Sequence, residues 1–301
     1  MNKKTCIVIA GPTAVGKTST AIELANHFST DIISADSRQC YKELNIGVAK
    51  PTLQELEMAY HYFINSHSIH QNINAADFEN IALDALSRVF SKSDIAIMVG
   101  GTGLYIKAFC EGLDQIPEVS TDIRNNIINQ FEENGIGWLI EMLQEKDPLF
   151  CRVGEMQNPQ RMMRALEVIQ STGNSIVHYQ THQKRKRDFN IIKIGLELPR
   201  EKLYERINTR VDDMIEKGLE HEAKQLYPFK SLNALQTVGY RELFDYFEGN
   251  SSLARAIELI KQNSRHYAKR QMTWFKKDPA FQWFQPDFSS INSYLDQTIQ
   301  F

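Results

Sequence analysis

Gly11-Pro12-Thr13-Ala14-Val15-Gly16-Lys17-Thr18 fits G-x-x-x-x-G-K-[ST], the phosphate-binding loop, at every position. The run before it, Thr5 to Ala10, is short, apolar and β-branched, which predicts a buried strand. After Thr18, residues Ser19 to Ala25 carry apolar side chains at helical spacing. Strand, glycine loop and helix are the arrangement the chemistry needs. The glycines let backbone N–H groups turn inward on an anion, and the helix N-terminus adds partial positive charge. Lys17 would reach the terminal phosphate and the Thr18 hydroxyl would bind Mg²⁺. A glycine-rich turn that binds nothing is the bland alternative, and the flanking strand and helix argue against it. The motif specifies a polyphosphate without specifying which one.

The same alternation continues outward. Asp31 to Ala35 reads as a second strand, Ala75 to Phe90 as a helix, and Ile95 to Val99 as a further strand followed by Gly100-Gly101-Thr102-Gly103 and a helix from Leu104. This pattern predicts a parallel sheet flanked by helices, with ligands at the carboxyl ends of the strands. From Pro117 the strand signal disappears. Thr121-Asp122 reads as a helix start with Thr or Asp as cap, Asp147-Pro148 as a break, and Asn158-Pro159 as a second helix start ending at Thr172-Gly173. A strand returns at Asn190 to Leu196, and helices follow over 200–217, 220–226, 239–247 and 253–275, then a short strand and a last helix. Residues 1–116 and 189–301 are thus expected to form one α/β core, and 117–188 a mainly helical insertion.

The chain has 301 residues, 42% hydrophobic and 24% charged, enough for a packed core and ordinary for a globular protein. No apolar run approaches the ~18 residues that span a membrane, and Met1-Asn2-Lys3-Lys4 leads straight into the first strand, leaving no room for a signal peptide. A cytoplasmic protein with no membrane partner is expected. Cys6, Cys40, Cys110 and Cys151 lie far apart, which argues against a zinc site and a disulfide framework. The net charge of −3 argues against a nonspecific polyanion binder. Its distribution is less bland. Seven basic residues and one acid, Glu258, lie between Arg255 and Lys277, and Lys184-Arg185-Lys186-Arg187 forms a second run. Solvated faces would explain either alone; both together raise the nucleic-acid reading.

Asp36, just beyond the second strand, faces the same crevice as Lys17. It could take a proton from a nucleophile, bind Mg²⁺, or merely cap the next turn. Gly100 to Gly103 lets donors approach an anion closely. No acid ends the Ile95 to Val99 strand, which departs from an ATPase. Arg161 and Arg164 share a helix face, suited to phosphates or to solvent. An arginine clamping a leaving diphosphate would lie on the 200–217 helix, and Arg206 and Arg210 both qualify.

These pieces in this order resemble the bacterial tRNA dimethylallyltransferases, also called tRNA isopentenyltransferases. The matching segments are GPTAVGKT at 11–18, DSRQCYKELNIGVAKPT at 36–52, VGGTGLYIKAF at 99–109, NPQRMMRALEV at 158–168, IGLELPREKLYERINTRVDDMIEKGL at 194–219, TVGYREL at 237–243 and SRHYAKRQMTWFKK at 264–277. The resemblance implies a P-loop NTPase-like α/β fold with a helical insertion that contacts tRNA. It implies transfer of a dimethylallyl group from dimethylallyl diphosphate to N6 of adenosine 37 in tRNAs reading codons that begin with U, by a monomer using Mg²⁺. The loop from Gly11 through Pro12, Thr13, Ala14, Val15, Gly16 and Lys17 to Thr18 would then hold a diphosphate instead of ATP. Asp36 falls on the family's general base. Lys17, Thr18 and Arg210 would stabilise the departing diphosphate, and Thr102 would line the channel beside the base. Asp36, Ser37, Arg38, Gln39, Thr102, Arg124, Gln160, Arg161, Met162, Met163, Arg164, Gly239, Tyr240 and Arg241 would contact tRNA. The chain departs from the family at Cys40, usually a small aliphatic residue, and at Arg38, often Met. Neither position carries the chemistry. The competing readings are an adenylate (mononucleotide) isopentenyltransferase, a small-molecule P-loop kinase and a noncatalytic RNA-binding module.

Overall fold

The computed structural model describes residues 4–181 and 183–299 of the chain. In chain order the elements are β1 (Thr5–Ala10), α1 (Lys17–His27), β2 (Ile32–Ser34), α2 (Leu53–Met58), β3 (His61–Tyr62), α3 (Ala75–Phe90), β4 (Ile95–Gly100), α4 (Gly103–Glu111), α5 (Thr121–Lys146), α6 (Pro148–Val153), α7 (Pro159–Thr172), β5 (Asn190–Leu196), α8 (Arg200–Glu216), α9 (Leu219–Leu226), α10 (Tyr240–Phe247), α11 (Leu253–Phe275), β6 (Phe281–Phe284) and α12 (Phe288–Thr298). They divide into two compact units, Met1–Glu111 with Lys186–Phe301, and Gly112–Arg185.

The first unit is built on one parallel sheet in the order β3-β2-β4-β1-β5-β6. β1 is central, and its two faces explain its unbroken apolar sequence. Ile7 and Ile9 pack into the core formed with α1, α8 and α12, while Cys6 and Val8 face the other way and are equally buried. The sheet order reverses between β1 and β4, so the ends of these strands open the crevice where ligands of such folds bind. β3 and α2 are too short to show a period and escaped the sequence reading. All four cysteines are free; Cys6 and Cys110 are buried, and burial pushes both thiols up, consistent with packing roles.

The chain leaves this unit at the end of α4 and is tied back by Arg187. That side chain is nearly buried. It donates to the α4 carbonyls of Ala108 (2.9 Å) and Phe109 (2.8 Å) and pairs with Glu79 of α3 at 2.8 Å. The expectation of a nucleic-acid surface at 184–187 is therefore corrected at Arg187, which closes a helix C-terminus where a cation is favoured. It is also why the boundaries fall at 112 and 185 rather than at 117 and 188. Glu79→Ala is expected to lower stability by about 2 kcal/mol. That is less than the loss of a whole buried pair, because Arg187 keeps its carbonyl acceptors. Chemical denaturation of the two proteins checks it.

The second unit is helical. Gly135 (φ 74°) breaks α5 into two segments. Asp147 caps α6 through the Phe150 N–H, and Asn158 caps α7, which has Pro159 in its first turn and Gly173 at its end. The start of α5 corrects one expectation: Ser120, not Thr121 or Asp122, is the cap, accepting from the Ile123 N–H. Leu139, Leu143, Met162, Met163 and Leu166 lie in this unit's own core. Met162 and Met163 are 0% and 5% exposed, so the expectation that they contact tRNA is withdrawn. They sit on the inward face of an amphipathic helix, as their spacing relative to Leu166 requires.

Candidate active site

Helix α1 starts at Gly16 with no side-chain cap, so its first-turn N–H groups are left for an anion. Lys17 donates to the Pro12 carbonyl at 2.7 Å. Both arginines that the sequence left open lie against this loop. Arg210 donates to the Thr13 hydroxyl at 3.1 Å and Arg206 to the Val15 carbonyl at 3.3 Å. Val15 itself is buried beneath the loop, so only its backbone faces outward.

Across the crevice, β2 ends and the chain turns. Asp36 Oδ1 accepts from the backbone N–H groups of Arg38 (2.9 Å) and Gln39 (3.3 Å). The capping role is therefore real, and it occupies one oxygen. Oδ2 has no hydrogen-bond partner among the described residues and remains for chemistry. Thr102 corrects another expectation. Its hydroxyl accepts from the Ser37 N–H (3.0 Å) and donates to the Ser37 hydroxyl (3.3 Å), so it braces the turn that carries Asp36, and Ser37 stands between it and the cavity wall.

Lys17, Thr18, Asp36, Arg38, Arg210 and Arg241 line one cavity of about 700 Å³. The charges in it act on one another. Burial lowers the Lys17 ammonium from 10.5 to about 8, with Asp36 opposing the shift and Arg210 adding to it. Burial lowers the Arg210 guanidinium also, again opposed by Asp36. Two desolvated cations facing one carboxylate form a site that lacks negative charge. Below about pH 8 Lys17 is already protonated; above it, a bound anion must draw a proton onto the amine. Affinity for an alkyl diphosphate whose phosphates are fully ionised is therefore expected to fall by up to about tenfold per unit above pH 8. Calorimetry from pH 7 to 9, with a chelator present, checks this; a flat profile would remove Lys17 from the anion site.

A residue the sequence reading did not select joins the two glycine loops. Gln271 of α11, 6% exposed, accepts from the Thr13 N–H and donates to the Gly101 carbonyl, both at 2.9 Å. A Cβ on Gly101 would stand 2.3 Å from the Gln271 amide nitrogen, so glycine there permits the approach. Tyr267 lines the same cavity, its hydroxyl pushed up to about 12 by burial and then by Asp36. Residues 267, 271 and 274 are spaced i, i+4, i+7, a helix-face signal that was present in the sequence.

The tRNA-contact expectations divide. Gly239 and Arg241 line the cavity, whereas Tyr240 is fully buried and donates to Glu222 at 2.6 Å, which withdraws it as a surface contact. In the helical unit Arg124 and Arg164 converge on Glu167, at 3.9 and 2.9 Å, and Arg161 pairs with Glu155. Gln160 is exposed at the start of α7, its backbone N–H held by Asn158. In the 255–277 run, Lys261 and Lys276 pair with acids and Arg265 bonds Asn208. Lys269, Arg270 and Lys277 carry no ion pair among the described residues and border a shallow cavity of about 400 Å³ with half-exposed Trp274.

Among the described residues no group of three or more His, Cys, Asp or Glu side chains could hold a metal ion. The donor set nevertheless fits Mg²⁺, which characteristically takes few protein oxygens and completes its shell with substrate phosphates and water. The Thr18 hydroxyl beside an anion loop is such a donor. No helix among the described residues is long and apolar enough to cross a membrane.

The family model described as IPP transferase matches residues 39–278. A tRNA dimethylallyltransferase of Christiangramia forsetii is 50% identical, over 97% of this chain and 98% of that protein. One from Flavobacterium psychrophilum is 48% identical, over 97% of each. Among solved structures, a full-length tRNA isopentenylpyrophosphate transferase from Bacillus halodurans is similar with a TM-score of 0.71 and 36% identity, over 99% of this chain and 96% of that one. A eukaryotic dimethylallyltransferase acting on tRNA gives 0.79 and 27%, over 98% and 77%.

Proposed function

The chain belongs to the IPP transferase family, and from that membership we propose that it transfers a dimethylallyl group from dimethylallyl diphosphate to N6 of adenosine 37 in tRNAs reading codons that begin with U. The observation that carries this reading is one cavity with an uncapped helix start and two half-buried, desolvated cations at one side and the Asp36 carboxylate at the other. A kinase or a mononucleotide prenyltransferase is not favoured, since the match to tRNA dimethylallyltransferases runs over almost the whole chain.

The chemistry needs both sides. An exocyclic adenine amine is a poor nucleophile because its lone pair is delocalised into the ring. The allylic carbon compensates, since the neighbouring double bond stabilises positive charge as the C–O bond to the diphosphate breaks. The first-turn amides of α1, Lys17 and Arg210 take up the charge that develops on the diphosphate oxygens. Mg²⁺, held by Thr18 and by phosphate oxygens, would supply further charge neutralisation. Asp36 Oδ2 orients the amine and accepts its proton as the N6–carbon bond forms. The base must leave its stack to reach the site, which is easiest in a single-stranded loop.

The test is mass spectrometry of nucleosides from an unmodified tRNA carrying adenosines at positions 36–38, incubated with the purified protein, dimethylallyl diphosphate and Mg²⁺. A new N6-dimethylallyladenosine peak supports the proposal. No peak, with AMP prenylated in a parallel reaction, would replace tRNA by a mononucleotide acceptor.

A further inference from the structure

Glu222, on α9, is not part of the cavity wall, yet it carries an unusual load. Its Oε2 accepts from the backbone N–H groups of Asn45 (3.2 Å) and Ile46 (2.8 Å). Its Oε1 accepts from the Gly47 N–H (2.9 Å) and the buried Tyr240 hydroxyl (2.6 Å). Four donors converge on one carboxylate, three of them consecutive peptide groups. Tyr240 closes the arrangement from below: a Cβ at residue 47 would lie 2.6 Å from its ring, so only glycine fits there. The segment 45–47 is thereby fixed in place.

What the segment leads to gives this clamp its meaning. One and two residues on, the carbonyls of Val48 and Ala49 accept from the Gln39 side-chain amide at 3.3 and 3.0 Å. The Gln39 backbone N–H in turn donates to Asp36 Oδ1. A continuous path runs from α9 through residues 45–49 and Gln39 to the carboxylate that faces the cavity. The phosphate side is held independently, by Gln271 on Thr13 and by Arg206 and Arg210. A second brace on the same loop comes from Lys50, whose ammonium donates to the Tyr41 carbonyl and to Asn65, both at 2.5 Å. Loss of Glu222 therefore loosens the aim of Asp36 without releasing the loop from the protein.

Resting on the proposed prenyl transfer, we infer that Glu222 is a positioning residue that fixes the Asp36 carboxylate through residues 45–49 and Gln39. A misplacement of this kind near a reacting centre lowers rate steeply while leaving remote binding intact.

Glu222→Gln keeps the size but turns an amide N–H₂ toward peptide donors, so it cannot take the same four bonds. It is expected to lower kcat roughly 10- to 100-fold, with dimethylallyl diphosphate affinity within about twofold of wild type by calorimetry without tRNA, as expected if only the Asp36 side is disturbed. Tyr240→Phe removes one bond and keeps the ring; it should move kcat the same way by roughly threefold, and it serves if Glu222→Gln fails to fold. The decisive readout is the cycle with Asp36→Asn. If Glu222 acts through Asp36, adding Glu222→Gln or Tyr240→Phe to Asp36→Asn changes kcat little further. Additive losses, equal losses of kcat and diphosphate affinity, or an unchanged kcat overturn the inference. A wild-type protein that makes no prenylated nucleoside overturns the proposed function, and this inference with it; active wild type with an unaffected Glu222→Gln sinks this inference alone.

Discussion

Asp36→Asn is expected to lower kcat by about 10²- to 10⁴-fold, the usual range for losing a positioned proton acceptor. The substitution is chosen on the geometry. Asp36 Oδ1 accepts from two backbone N–H groups that shape the turn through Gln39. The Asn carbonyl oxygen can keep both bonds, so the turn survives, while the free Oδ2 is replaced by an amide that cannot accept a proton. Alanine would remove the cap as well and mix loss of chemistry with loss of structure. The two functions on one side chain therefore separate in kinetics. Single-turnover prenylation should collapse, and the Kd for tRNA should stay within about threefold. Equal losses in both would make Asp36 a binding residue.

Lys17→Ala should lower kcat/KM by about 10²- to 10³-fold, equivalent to about 3–4 kcal/mol of transition-state stabilisation. Its ammonium lies in a desolvated setting, where charge acts strongly, and the leaving diphosphate gains negative charge as the allylic bond breaks. Arg210 remains in the variant, which bounds the loss, and its guanidinium is anchored on Thr13 rather than free to replace the amine. Lys17→Arg should recover little, because a planar fork does not reproduce a compact point charge at the end of a glycine loop. Steady-state kinetics in dimethylallyl diphosphate at pH 7, where Lys17 is protonated, checks both variants. A loss confined to KM would place Lys17 in ground-state binding only.

How much of this was legible beforehand depends on how local the signal is. The phosphate loop, its strand and its helix are contiguous, and their pattern follows from period and glycine placement alone. The turn at Asp36 could be placed too, since it follows directly on a strand end. The loop that carries Thr102 is marked by its glycines, but nothing in its neighbours reveals that its hydroxyl also braces Ser37. Tyr240 sits inside a motif that reads as surface, and its inward direction follows from packing, whereas the i, i+3 and i, i+4 spacing of Met163 and Met162 to Leu166 already marks an inward face. Arg187 looked like part of a basic tract until Glu79 appeared opposite it.

The sequence by itself determined the alternation of strands and helices, the anion loop, the helical insertion and the family to which the chain belongs. These rest on interactions within a few residues, where backbone geometry and hydrophobic period leave few options. Only the tertiary structure decided that Arg206 and Arg210 both reach the loop, that Gln271 ties Thr13 to Gly101, and that Glu222 holds the segment leading back to Asp36. Those contacts join residues far apart in the chain, and their geometry is set by how the packed sheet and helices bring distant side chains to common polar groups, which must be satisfied once buried.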